Sequence, residues 1–197
     1  MNIKNVLRIS FLLLFILSLF MFFGLIYAFH FNEPKAIKAF STTIFLIWGI
    51  CALILFFTRE NKRKNLSTRD GFLLVSLSWI LASFFGGLPF FLSDAIPSFT
   101  DCFFETMSGF TTTGASILTD IESLPKSILF WRSLTHWLGG MGIVVLTVAI
   151  FPLLGIGGLQ LIKAEAPGPS VDKITPRITQ TAKILWFIYF GMTILQT

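Results

Sequence analysis

Residues 98–116 read S-F-T-D-C-F-F-E-T-M-S-G-F-T-T-T-G-A-S, and the reading of the whole chain turns on them. Ser98-Phe99-Thr100-Asp101 has the spacing of a capping box with Ser98 as N-cap. It predicts a short helix of about three turns over 99–110. Such a helix covers ~18 Å, well short of a ~30 Å hydrocarbon core. Three β-branched threonines follow, then Gly114, Ala115 and Ser116. Adjacent β-branched side chains lose rotamer freedom in a helix and glycine frees the backbone, so 111–116 is expected to run as an extended strand.

On either side lie long uncharged runs. Ile9–Phe29, Ala39–Thr58 and Gly71–Ser93 precede the segment; one run that begins after Arg132 and reaches Ile162 follows it, and a last one begins after Lys183. A spanning helix takes about 20 apolar residues. The first four runs meet that length, and the fifth, Ile184 to Thr197, stops at 14 residues. Composition agrees: 54% of the 197 residues are hydrophobic, 24 are phenylalanine, and 13% are charged, against about 25% charged in soluble domains. This excludes a disordered chain, a disulfide-stapled secreted module and an ordinary cytosolic enzyme. Lys4 and Arg8 before the first run suggest a signal peptide, but its apolar core is too long and no small-residue cleavage site follows. Cys51 and Cys102 lie in different apolar segments and form neither a metal spacing nor a disulfide framework.

Charge orients the helices. Residues 59–70 carry Arg59, Lys62, Arg63, Lys64 and Arg69 against Glu60 and Asp70, net +3. Residues 94–126 carry Asp94, Asp101, Glu105, Asp120 and Glu122 against Lys126, net −4. The first segment is expected in the cytoplasm and the second outside, with a cytoplasmic N-terminus. Residues 154–183, with Lys163, Lys173, Arg177 and Lys183, return to the cytoplasm as a Gly/Pro-punctuated connector. The overall charge of +5 is thus spent on topology, and no nucleic-acid partner is expected.

The segment between the third and fourth runs is too polar to span and too apolar for a simple loop. Irregular backbone at membrane depth survives only where it is buried in protein or lines water, a condition that a re-entrant pore loop meets. Backbone carbonyls replace the water of a monovalent cation without a full countercharge, so the ion can leave again. Gly114 permits the dihedral that turns a carbonyl to the axis, and the C-terminal end of the short helix aims its negative dipole at the ion.

F-F-E-T-M-S-G-F-T-T-T-G-A-S at 103–116 resembles the first pore loop of the TrkH/KtrB potassium uptake family. F-W-R-S-L-T-H-W-L-G-G-M-G-I-V-V-L at 130–146 resembles the helix that follows it there. Two extra helices ahead of the first repeat resemble the TrkH branch. The resemblance implies an all-α membrane protein with a potassium channel-like helix–pore loop–helix repeat preceded by two extra transmembrane helices. Family members carry four such repeats around one pore. The chain is therefore expected to be an N-terminal fragment, with helices over 1–58, a first repeat at 71–153, and the start of a second at 184–197. On its own it is expected to insert four helices and conduct nothing.

By the same resemblance, Thr112, Thr113 and Gly114 hold potassium through their carbonyls, with potassium centred on Thr112 and Thr113 and with Thr111 and Ala115 as the next candidates. Ser116 stands where potassium channels place a second filter glycine, a departure this family tolerates. Glu105 and Arg132 are supporting residues. The resemblance further implies potassium as substrate, no bound cofactor, a bacterial inner membrane and a homodimer of the full-length chain. It also implies a cytosolic nucleotide-binding, TrkA-like regulatory subunit beneath the connector. No covalent chemistry is involved, so no enzyme is expected.

Rival readings attach to single residues. Arg132 either snorkels to the interface or pairs with Asp120, Glu122 or Glu105. Glu105 is expected to anchor the short helix. His136 has no second ligand, with His30 at the far end of the first helix, and is expected to be a packed, hydrogen-bonded histidine. Gly139, Gly140 and Gly142 imply close helix packing or a gating hinge. Asp94, Asp101, Asp120 and Glu122 either concentrate cations at the outer mouth or form a solvated rim. The rival functions are a secondary cation transporter with side-chain sites, an intramembrane enzyme and a non-conducting scaffold.

Overall fold

The computed structural model describes residues 3–58, 68–145 and 174–195, and the regular structure among these residues is helical. The helices are α1 (Ile3–His30), α2 (Pro34–Phe57), α3 (Thr68–Leu92), α4 (Phe99–Phe110), α5 (Lys126–Val145) and α6 (Ile174–Leu195). Among the described residues, Ile3–His30, Pro34–Phe57 and Arg69–Leu92 are long and apolar enough to cross a membrane.

α1 and α2 form a tight antiparallel pair. At the end of α1 the Glu33 N–H donates to the Ala28 carbonyl (3.0 Å) and the Asn32 N–H to that of Phe29 (3.3 Å), with Asn32 left-handed at φ 53°. This is a Schellman closure, and asparagine is among the few non-glycine residues that accept that backbone easily. Pro34 then starts α2 at a position where its missing N–H costs nothing. Gly24 of α1 lies under the fully buried Phe40 ring, which a Cβ there would meet at 2.7 Å.

The main apolar core draws on α1 to α5, with a smaller cluster around Val6 and Leu74 beside it. Phe40 meets Trp131 of α5 edge to face at 6.2 Å. The Trp131 indole is fully buried, and its N–H donates to the Gly86 carbonyl of α3 (2.9 Å), which satisfies the indole's one polar atom. The opposite faces of α1 and α2 expose Phe23, Phe29, Phe45, Phe56 and Phe57, the surface a lipid phase would solvate.

α5 begins at Lys126, ahead of the uncharged run, so Arg132 sits ~9 Å inside the helix. Uncharged runs mark where apolar residues are continuous, whereas a helix continues through charged flanks. For the same reason α3 begins at Thr68 and takes Arg69 and Asp70 from the expected 59–70 loop. α6 begins at Ile174, inside the expected 154–183 connector, with Pro176 in its first turn, where proline is tolerated. Residues 59–67 and 146–173 lie outside the described residues. They include most of the basic loop, the latter part of the fourth run and most of the connector.

Pro125, at the N-cap of α5, has no side-chain acceptor, although its carbonyl takes the first helical bond, from Leu129 N–H (2.9 Å). The cap comes from the α1–α2 turn. Glu33 accepts from the backbone N–H groups of Lys126 (2.7 Å) and Ser127 (3.1 Å) and from the Ser127 hydroxyl.

Candidate ion-binding loop

Ser98 caps α4, its hydroxyl oxygen accepting from the Asp101 N–H at 3.4 Å. Asp101 adds an acidic group to the first turn, where the helix dipole favours it. The helix lies in a groove floored by small residues. A Cβ on Gly87 of α3 would come within 3.1 Å of the Cys102 carbonyl oxygen, and one on Gly139 of α5 within 2.2 Å of the Phe110 carbonyl oxygen. Gly139 therefore lets α5 cross against the last turn of α4, and Gly140 abuts the Tyr189 hydroxyl of α6 in the same way.

The end of α4 departs from the expected extended strand. Thr111 is a helical C-cap (φ −79°, ψ −1°). Thr112 is left-handed at φ 56°. Thr112 N–H donates to Gly109 and Thr113 N–H to the Ser108 carbonyl, each at 3.0 Å. The same closure ends α1 at Asn32 and α3 at Asp94. Asparagine and aspartate suit it; threonine, being β-branched, is strained there. Thr111 and Thr112 thus belong to the helix closure, because the helix closes before it releases the chain, and residues 113–118 carry no regular structure in place of the strand expected over 111–116. Gly114 follows, also left-handed at φ 77°, with no atom within 4 Å of where a Cβ would stand.

One side of this loop is tied down. The Thr111 hydroxyl donates to the Met107 carbonyl (2.8 Å) and meets the Thr113 hydroxyl at 2.8 Å. The Ser108 hydroxyl donates to the Ala115 carbonyl (2.6 Å). Glu105, 1% exposed, accepts from the Ser116 hydroxyl at 3.0 and 3.1 Å and from the Ile117 N–H at 3.2 Å. Arg132 Nε completes the set at 2.6 Å. A buried carboxylate persists only when paired and hydrogen-bonded, and here both conditions hold. The other side is bare: every residue from Thr111 to Ile117 is exposed.

The remaining candidates separate. Arg132 pairs with Glu105, not with Asp120 or Glu122. The His136 Nδ1 lies 3.0 Å from the Arg132 carbonyl oxygen. Asp120 accepts from the Ser123 N–H (3.3 Å) within a local turn. Asp94 pairs with Lys35 at 2.9 Å on the surface, where an ion pair contributes little. Sequence reading missed Ser108 and Glu33. Ser108 carries no periodic signal, and Glu33 acts on residues more than ninety positions away.

The TrkH family, described as cation transport protein, matches residues 36–197. The Trk system potassium uptake protein TrkH of Vibrio parahaemolyticus is 44% identical over 98% of this chain and 40% of its own length. The protein of the same name from Halomonas elongata is 46% identical over the same shares. The crystal structure of the potassium transporter TrkH from Vibrio parahaemolyticus superposes with a TM-score of 0.76 at 41% identity, covering 99% of this chain and 38% of that one. The chain thus spans about two-fifths of the length of these relatives. Two apolar helices, then a helix–pore loop–helix unit, matched over nearly the whole sequence, place the chain in the TrkH family of cation transport proteins.

Proposed function

We propose that this chain supplies one of four pore loops of a potassium uptake protein and that potassium passes inward over the carbonyls of Thr112, Thr113 and Gly114. Thr111 and Ala115 flank that site, the Ala115 carbonyl already accepting from Ser108. The first repeat occupies 71–153, and residues 184–197 open the second. The protein lies in a bacterial inner membrane with its N-terminus in the cytoplasm. The membrane potential drives the ion, supplying about 2.3 kcal/mol per charge per 100 mV. The full-length chain dimerises and takes a cytosolic nucleotide-binding, TrkA-like regulatory subunit.

The observation that carries this reading is the asymmetry of the loop. Its rear is held by Ser108, Glu105 and Arg132, while its front presents bare Thr/Gly backbone at the C-terminal end of a short helix. A rigid rear prevents the carbonyls from collapsing around a smaller ion, and an open front lets the ion exchange its water for them.

The test is uptake in a strain that cannot accumulate potassium. The transporter containing this chain should restore growth on limiting potassium. Gly114→Ser should lower the preference for potassium over sodium at equal membrane abundance, because serine strains the left-handed backbone at φ 77°. Unchanged selectivity in Gly114→Ser would place the ion site elsewhere.

A further inference from the structure

We infer that Glu33, in the turn between the two helices that precede the pore repeat, is a positioning residue for the ion-binding loop; this rests on the function proposed above. α5 begins without a cap of its own, since Pro125 offers no side-chain acceptor and four N–H groups at a helix start need partners. Glu33 provides one oxygen to the Lys126 N–H (2.7 Å) and the other to the Ser127 N–H (3.1 Å). A carboxylate at this end also complements the helix dipole.

Glu33 is itself rigidly held. Its N–H donates to the Ala28 carbonyl and its carbonyl accepts from the Ile37 N–H, each at 3.0 Å. A second contact beside it grips the same turn of α5: the Tyr27 ring stacks on Phe130 at 4.3 Å and 6°. The α1–α2 pair therefore sets the height of α5 along its own axis. Arg132 projects from that helix ~9 Å further on and meets Glu105 at 2.6 Å. Glu105 in turn holds Ser116 and Ile117 behind the loop. A shift of α5 by a fraction of an ångström reaches the residues behind the loop through this guanidinium–carboxylate contact, which has little slack at its length. Two helices outside the repeat thus tune its geometry.

Glu33→Ala, Glu33→Gln and Glu33→Asp, made in the transporter that contains this chain, test the inference by two measurements. The first is amide hydrogen exchange of the purified protein over 111–118 and 126–130. Glu33→Ala should accelerate both segments. Glu33→Gln, which keeps one acceptor and guards against a folding failure, should fall between Glu33→Ala and wild type, and Glu33→Asp should restore part of the protection. The second is the potassium-over-sodium uptake ratio at equal membrane abundance, which should fall roughly 2- to 30-fold in Glu33→Ala. Faster exchange confined to 126–130 would make Glu33 a helix cap and nothing more, and would overturn the inference. So would unchanged exchange, or an unchanged ratio alongside faster exchange in both segments. A wild type without potassium preference would instead sink the proposed function, while the exchange data would still decide the link from Glu33 to the loop.

Discussion

Arg132→Met removes the guanidinium from behind the loop and keeps most of the apolar stem. The consequence falls on Glu105, whose side chain is fully buried while that of Arg132 is 14% exposed. Glu105 loses its shortest contact, at 2.6 Å, and retains only the Ser116 hydroxyl and the Ile117 N–H. Removing one partner of a buried ion pair costs about 3–5 kcal/mol, because the other charge is left uncompensated. In a transporter of the relatives' length, about two and a half times this chain, each kcal/mol moves the melting temperature by about 1 °C, so the detergent-solubilised protein should melt about 3–5 °C lower. Potassium selectivity should fall with it, since Glu105 is the group that ties Ser116 and Ile117 to α4. Glu105→Gln added to Arg132→Met removes the stranded charge and should recover a good part of the lost stability, because replacing both members of a buried pair is often close to neutral. Melting curves of the two single variants, the double variant and the wild type complete the cycle. A double variant as unstable as the sum of the singles would refute the reasoning, and so would an Arg132→Met protein that melts with the wild type.

The other expectations follow from single contacts. Gly139→Ala would put a Cβ 2.2 Å from the Phe110 carbonyl oxygen, so it should cost about 1–3 kcal/mol and reduce uptake. Gly142→Ala, whose nearest neighbour is the Trp79 ring at 3.7 Å, should leave melting and uptake unchanged. Thr112→Asn places at the end of α4 the residue type that closes α1 at Asn32. Relief of about 1 kcal/mol of left-handed strain should raise the melting temperature by about 1 °C, and a lowered melting temperature would show that Thr112 is not strained. For topology, a cysteine at Ser123 should react with an impermeant thiol reagent added from outside and one at Asn65 should not. Cys51 and Cys102, 2% and 0% exposed, should give no background.

Much of the architecture was legible in the residues themselves. Uncharged runs of spanning length announce membrane helices, because lipid admits few charges. The S-x-x-D spacing at Ser98 places the start of α4, and β-branched threonines with a glycine mark where it must stop. These signals are local: each depends on residues within one or two turns. The tertiary structure decided everything that depends on residues distant in sequence. Arg132 had three acidic candidates in the chain, and only the crossing of α4 against α5, made possible by Gly139 beside the Phe110 carbonyl, brings Glu105 to it and leaves Asp120 in its own turn. One local feature escaped the sequence as well: Thr112 looked like part of an extended strand, whereas the helix-closing hydrogen bonds to Gly109 and Ser108 hold it left-handed against its own preference. Glu33 carries no signal of its role in the sequence, and it caps α5 because Pro125, at the N-cap, has no acceptor of its own and the packed α1–α2 pair delivers one. A sequence states which groups need partners, and only packing in three dimensions determines which partners come within reach.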